Sequence, residues 1–552
     1  MFVDNSIEFC CSLSTLEKNS QMFFDVRPTF TYSFRASNLA DNRQGYCVYL
    51  RGISMLLKSI QDSIDKIARR KIIEHQTYHN NLHLTYEREK RRIKTPAQKE
   101  IKTPEEWSID KKYNPFYVEK HQKQIAHSIF NKLINGNYKP HAPYLKQIPK
   151  KNSDKTRPIN IFQIPDEAIS NYFYERLLSK NKHRFSSFSY AYRSDKNVHY
   201  AIQDIALDIK ASPRMFVAEF DFRDFFGSIE HKYLLDQLSK NGFLVSDVER
   251  NIIENFLSHF PKGIPQGTSL SLFLANLVCW KLDKRLEKEG LRFARYADDT
   301  IIWSEDYQKI CKSFDIIHDF SKEAGVEINF DKSEGIHLLS KKGMPSELKA
   351  KEHIEFLGYQ ISGTNVSIKP ASLNKIKANI SYLLYKNLIQ PLAGNTLQSV
   401  EIPSNNNDKD FVTAIMQIRR YLYGNLNEHM LKNYLNGSYK RLNFKGVMSF
   451  YPLIDDEEQM KELDRWLLST ILNSIKKRDK LLQKHGHFRS NQFPFNLDKE
   501  TLLSECKHRK IYNKKGLIEI PSFMRIYQAI QEEVKLKGIE KVMNPKSNQY
   551  DY

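Results

Sequence analysis

Three carboxylates in two short segments could carry chemistry in this sequence. In Arg292-Phe293-Ala294-Arg295-Tyr296-Ala297-Asp298-Asp299-Thr300-Ile301-Ile302-Trp303, two adjacent aspartates lie between apolar-rich runs. That is the pattern of a strand, a tight turn and a returning strand. Neighbouring carboxylates repel, so the pair is either a solvated Asp turn or a holder of a divalent cation that prefers hard oxygen ligands. In Met215–Ile229 an apolar run of strand type delivers Asp221 to its C-terminal end, and Phe225-Phe226 follow. An acid at the end of a buried strand is costly unless it is paired or metal-bound.

Other segments have the character of elements that would place a phosphate-bearing ligand beside those acids. In Ile148-Pro149-Lys150-Lys151-Asn152-Ser153-Asp154-Lys155-Thr156-Arg157-Pro158-Ile159, two extended pieces flank a polar turn. Lys150 and Arg157 can end on one face of such a hairpin and clamp a triphosphate, Arg by bidentate hydrogen bonds and Lys as a point charge; the alternative is a basic surface hairpin. In Gly263-Ile264-Pro265-Gln266-Gly267-Thr268-Ser269, the glycines permit close backbone approach to a ligand and Ser269 can cap the following helix. Ile310, Phe314 and Ile317 mark a helix ending near Gly325. Val326–Asn329, Lys332 and a hairpin over His353–Ile361 follow.

The net charge of +20 and the 12% aromatic share favour a polyanionic partner, nucleic acid first. A membrane-surface protein is disfavoured: the sequence has no run of 18 apolar residues and no charged-then-apolar signal pattern at its start. The six cysteines form no C-x-x-C pair, so neither a zinc module nor a disulfide framework is indicated, and a reducing bacterial cytoplasm is expected. From Ile53 to Lys94 the pattern is helical and basic (Lys66, Arg69, Arg70, Lys71, then Arg88 to Lys94), either a solvated helix or a nucleic-acid-contacting arm. His75, His79 and His83 share one face of it without accompanying acids or thiols, which favours a solvated or RNA-facing helix over a metal site.

Taken in order, these motifs resemble the reverse transcriptase family over roughly residues 107 to 365, and especially its bacterial branch of group II intron, retron and defence-associated (antiphage) enzymes. The resemblance implies an α+β right-hand polymerase. Its parts would be an N-terminal extension (1–104), fingers (105–210), a palm (211–370, with 230–262 inserted on the fingers side) and an α-helical thumb-like C-terminal domain (371–552). It implies an RNA-directed DNA polymerase that adds deoxynucleotides to a 3′-OH by a two-metal mechanism, with two Mg²⁺ ions or Mn²⁺ in their place. Asp221, Asp298 and Asp299 correspond to the catalytic metal ligands, with the Phe222 carbonyl beside Asp221. Phe226 corresponds to the residue that excludes a 2′-OH, and Gln266 to the one that positions nucleotide and template. Lys150 and Arg157 correspond to the fingers' triphosphate contacts, and Lys332 to the cation near the leaving pyrophosphate.

Some positions depart from the commoner family pattern. Asp166-Glu167-Ala168-Ile169-Ser170 replaces Asp-Arg followed by Gln, Gly227 replaces a frequent acid, and Thr268–Leu272 replaces Ser-Pro-Leu-Ser-Pro. These changes are expected to touch template and primer handling. Beyond the palm, helices are expected over 371–395, around Val412, Ile415, Arg419 and Leu422, and from Met460 through Ile471. That last helix should end at Lys476, Lys477, Arg478 and Lys480, with Pro391–Asp410 as a polar linker. The expected partners are dNTPs, an RNA template or noncoding RNA, the DNA product and a second reverse transcriptase subunit, as in the type 3 defence system; a homo-oligomer is an alternative. Other readings are an intron maturase or retron enzyme, a polymerase with an unconventional or absent template, and a catalytically idle RNA-binding protein.

Overall fold

The computed structural model describes residues 43–90, 96, 100–149, 156–212, 214–340, 350–393, 408–508, 510–511, 514–517 and 519–543. The architecture is α+β. In chain order come helix α1 (Arg43–Lys90), α2 (Pro115–Ile134), the hairpin β1 (Tyr144–Pro149) and β2 (Thr156–Ile161), α3 (Ile164–Asn181) and α4 (Val198–Ala211). Strands β3 (Arg214–Phe220) and β4 (Phe222–Arg223), then α5 (His231–Lys240), α6 (Asp247–Leu257), α7 (Ser269–Val278) and α8 (Trp280–Lys288) follow. Next are β5 (Arg292–Tyr296), β6 (Asp299–Ser304), α9 (Tyr307–Ala324), β7 (Glu327–Ile328), β8 (His337–Ser340) and β9 (Ala350–Lys351). The three-stranded meander β10 (His353–Phe356), β11 (Tyr359–Ser362) and β12 (Val366–Ile368) leads into α10 (Pro370–Leu384), α11 (Lys409–Tyr423), α12 (Glu428–Leu435), α13 (Glu457–Lys484) and α14 (Phe523–Lys537).

Packing divides the chain into two compact units. The first takes residues 1–76, 103–184 and 230–274, the second the remainder. In the first unit, β1 and β2 pair antiparallel with Ile148 opposite Arg157. Arg70 and Lys71 of α1 both reach Glu167, at 2.7 and 3.0 Å, and Arg69 pairs with Asp65. His75 packs on Trp107, with ring centroids 4.8 Å apart. In the described part of the basic helix these cations and this histidine therefore have partners in their own unit, while Arg69 and Arg70 stay exposed. Trp107 lies in a short helical turn, Glu106–Ile109.

The second unit is built on a five-stranded sheet ordered β5-β6-β3-β8-β9, antiparallel except for the β8–β9 pair. Both faces of β3 are covered because its side chains alternate. Met215 and Val217 join the main apolar cluster, while Phe216 and Phe220 pack edge-on against Tyr307 and Phe314 of α9. Each such large side chain contributes about 1.5–3 kcal/mol when fully buried. Helix α9 starts where the Asp306 side chain accepts from the Gln308 and Lys309 N–H groups, and stops at Gly325 with φ 73°. The core continues into the C-terminal helices through Ile415, Ile418 and Leu422 of α11 and Leu463, Leu467 and Ile471 of α13.

Helix α13 runs to Lys484, so Lys476–Lys480 lie inside it rather than at its end. Arg478 does not face solvent. It is buried, its Nε 2.6 Å from Asp408 and its Nη2 3.0 Å from Asp410, and it also donates to the Leu388 carbonyl. Among the described residues, no helix is long and apolar enough to cross a membrane.

Candidate catalytic site

The β3–β6 ladder brings the acids of the second unit together. Its register ends at Phe220 opposite Thr300, so Asp221 follows one strand and Asp299 precedes the paired Thr300 at the same end of the ladder. Asp298 stands in the two-residue turn between β5 and β6, whose last pair is Tyr296 with Asp299. Ala297 holds this turn with φ 60°, a left-handed conformation that normally calls for glycine.

Something must hold that strained turn, and Arg295 does. Its side chain is 0% exposed. Nη1 donates to the Ala297 carbonyl at 3.0 Å, Nε and Nη2 each reach Asp283 at 2.7 Å, and Nη2 also donates to Ser189 Oγ at 2.8 Å. Asn276 completes the group, donating to the Ala191 carbonyl. Because Asp283 answers the guanidinium in a bidentate fork, the buried charge is compensated.

Asp221 is held from a second loop. Its N–H donates to Ser333 Oγ, its carbonyl accepts from the Asn329 N–H, and its Oδ2 takes Asn329 Nδ2 at 2.7 Å and Lys332 Nζ at 3.1 Å. Burial, then Asp298 and Asp221, push the Asp299 carboxyl up to about 7, while Lys332 and Lys369 pull it back. The acids thus share a field that the two lysines offset only in part. Among the described residues, no group of three or more His, Cys, Asp or Glu side chains stands close enough to hold a metal ion. The donor set is nevertheless all oxygen and short of positive charge, which fits a hard dication.

Phe226, five residues past Asp221, is half-buried and meets the buried Phe225 edge-on at 5.6 Å. At the neighbouring glycine, the Asp224 carboxylate fills the place of a side chain: a Cβ on Gly227 would lie 2.3 Å from Asp224 Oδ2. An acidic group therefore lies against position 227, supplied from three residues upstream.

The other expected site residues belong to the first unit. Gln266 is half-buried, and its carbonyl accepts from the Asn160 N–H of β2 at 2.7 Å. Gly267, at φ 115°, lies so close to the Asn160 carbonyl that a Cβ would approach it to 2.5 Å. This backbone contact fixes the Gln266 loop to the strand that carries Arg157. Lys150 lies outside the described residues. Ser269 is the first residue of α7 rather than its demonstrated cap; the Leu270 N–H donates to Ser170 Oγ of α3 at 2.9 Å. Asp166 is buried, accepting from Tyr138 Oη and the His141 N–H. The two departures at 166–170 are also engaged inside the unit: Glu167 pairs with Arg70 and Lys71 of α1, and Ser170 Oγ accepts from the Leu270 N–H. His75, His79 and His83 form no metal-binding group with other residues among those described.

Residues 148–361 match the model of the family described as reverse transcriptase (RNA-dependent DNA polymerase). The chain is 28% identical over 181 residues to the group II intron-encoded protein LtrA of Lactococcus lactis subsp. cremoris, covering 31% of this chain and 30% of that protein. It is 28% identical over 174 residues to the retron Ec86 reverse transcriptase of Escherichia coli, covering 30% of this chain and 49% of that one. The matches thus span about half or less of these relatives' length. Among solved structures, telomerase from Candida tropicalis with a fragment of telomeric RNA aligns over 74% of this chain and 75% of its own, at 13% identity and TM-score 0.34.

Proposed function

We propose that this chain, a member of the reverse transcriptase family through residues 148–361, is an RNA-directed DNA polymerase that extends a 3′-OH with deoxynucleotides. The observation that carries the reading is that Asp221, Asp298 and Asp299 gather at one end of the β3–β6 ladder, where burial and then the other two acids raise the Asp299 carboxyl. Asp221, the Phe222 carbonyl, Asp298 and Asp299 would hold two Mg²⁺ ions, with Mn²⁺ able to replace them. Bound there, such ions lower the pKa of the attacking hydroxyl and neutralise charge on the transferred phosphoryl group.

The chain's own residues supply position and selectivity. Asn329 and Ser333 orient Asp221, and the Arg295–Asp283 pair holds the turn that presents Asp298 and Asp299. Phe226 packs where a 2′-OH would sit and so favours deoxynucleotides. Arg157 and Lys150 take the triphosphate, Gln266 places the incoming nucleotide on its template, and Lys332 stands by the leaving pyrophosphate.

Purified protein with dNTPs, Mg²⁺ and its co-purifying RNA should make DNA, and Asp298→Ala with Asp299→Ala should reduce synthesis to background. Undiminished synthesis by the double variant defeats the assignment. Phe226→Val should lower discrimination against ribonucleotides roughly tenfold, the scale of a steric pocket contact; unchanged selectivity removes its role as sugar gate. The setting is antiphage defence with a noncoding RNA and a second reverse transcriptase. Sequencing the nucleic acid bound to the purified chain tests that setting, because a retron-like or intron RNA would replace it.

A further inference from the structure

The two halves of α13 treat their cations differently. Near its start, Lys461 lies 3.8 Å from Glu457 and 3.9 Å from Glu458, and Arg465 also pairs with Glu458. In the second half, Lys476, Lys477, Lys480 and Lys484 are exposed and have no ion-pair partner among the described residues. The single acid between residues 476 and 489, Asp479, is engaged by Gln483 Nε2 at 2.8 Å and Ser490 Oγ at 3.0 Å. Arg478 turns inward to Asp408 and Asp410, as the helical period requires of a residue on the opposite face.

The outward lysines form a stripe. Lys476, Lys480 and Lys484 follow each other at four-residue steps, each a rise of about 6 Å, with Lys477 on the flank. The helix dipole favours a cation in the last turn, which accounts for Lys484, but its effect has faded two turns earlier at Lys476 and Lys477. Directly beyond the stripe, Phe488 is 80% exposed between His487 and Arg489. A scattered surface apolar residue needs no explanation. A bare aromatic ring at the end of an uncompensated lysine row matches the two-part chemistry of single-strand binding, in which cations track phosphates and a ring stacks on a base.

We propose that this face of α13 and the loop after it bind an unpaired nucleic-acid strand, the four lysines on its phosphates and Phe488 on one base. The surface lies outside residues 148–361 and needs neither nucleotide nor metal, so it stands apart from the polymerase reading. Phosphate contacts and stacking of one base do not depend on base identity, so binding should be indifferent to sequence.

The test uses the full chain carrying Asp298→Ala and Asp299→Ala, in EDTA, with fluorescently labelled 15-mers of dT, of U and of duplex DNA titrated over a series of NaCl concentrations. Lys476→Ala/Lys480→Ala/Lys484→Ala should flatten the log K against log salt slope for the single strands by about 2, from roughly 0.7 per lost phosphate contact. The matching Lys→Arg triple variant should keep the slope. Phe488→Ala should weaken single-strand binding roughly tenfold and Phe488→Trp should restore it. The substituted positions are exposed, so thermal unfolding should be unchanged. As a check that needs no variant, photo-crosslinking of a bromouridine oligomer to the wild-type chain should place adducts within residues 476–489. A triple variant with the wild-type slope, a Phe488→Ala chain with unchanged affinity, a duplex bound as tightly as the single strands, or adducts only elsewhere overturns the proposal. Because no synthesis is measured, failure here leaves the polymerase assignment to its own test.

Discussion

Two pairs of closely spaced aspartates in the second unit meet opposite fates. Asp408 and Asp410 face the buried Arg478, and Asp408 also accepts from the N–H groups of Asp410 and Phe411 at the start of α11. Asp298 and Asp299 face Asp221, and the cation nearest that cluster is Lys332, itself 69% exposed and bonded to Asp221. The first arrangement is a closed ion cluster with its charges answered. In the second, burial and then the neighbouring carboxylates Asp298 and Asp221 raise the Asp299 carboxyl, and Lys332 and Lys369 offset this only in part. Crowded acids alone therefore do not identify a site; what matters is whether the fold has already compensated them.

The sharpest way to break this comparison is to remove compensation where it exists. Arg478→Met strands two buried carboxylates and should cost on the order of 3–5 kcal/mol in urea unfolding, whereas Asp299→Asn should leave the metal-free protein as stable as before or more so. Equal losses from the two substitutions would erase the distinction. A smaller effect is expected at Arg295, which belongs to the turn that displays the acids. Arg295→Lys keeps the charge but loses the fork to Asp283 and the bond to the Ala297 carbonyl. It should raise the Mg²⁺ concentration for half-maximal synthesis by roughly tenfold, the scale of an outer-shell partner, with much of the rate recovered at saturating Mg²⁺. A purely structural role would lower the rate at every Mg²⁺ concentration alike.

The smallest effect is a pH window. The Asp299 carboxyl is raised from 3.8 to about 7 in the folded chain, mainly by burial and then by its acidic neighbours. Between those values the folded state holds a proton that the unfolded state has lost. Its contribution is fully present below the lower value and is lost as pH rises through the upper one. Without metal, the melting temperature of the wild type should therefore fall relative to Asp299→Asn as pH climbs from about 4 to about 7. Added Mg²⁺ should shrink that difference. A flat difference across the window would show that the neighbouring acids exert no such pressure.

Much of the palm was readable because its signals are local. The apolar runs around Ala297-Asp298 specify strand, turn and strand through side-chain alternation. The apolar run before Asp221 specifies a strand that must end where the acid appears. Periodicity also marked α9 and its Gly325 stop. Long-range partners were not readable. An arginine inside the run Phe293-Ala294-Arg295-Tyr296 hinted at a buried charge, but nothing nearby in sequence named Asp283, Ser189 or Asn276 as its neighbours. Arg478 was misread for a related reason: within Lys476-Lys477-Arg478-Asp479-Lys480 all the cations look alike, and helical phase relative to a core 70 residues upstream decides which one turns inward.

By itself, then, the sequence determined which residues could do chemistry and the short elements that carry them, because strand alternation, turn preference and helix period depend on near neighbours. Only the tertiary structure decided which charges are answered. The β3–β6 ladder brings Asp221 and Asp299 to one end, Arg295 is committed to a strained turn, Arg478 is buried and the lysines beside it are exposed. Compensation of a charge depends on what the fold brings within a few ångströms of it, and that is a property of packing.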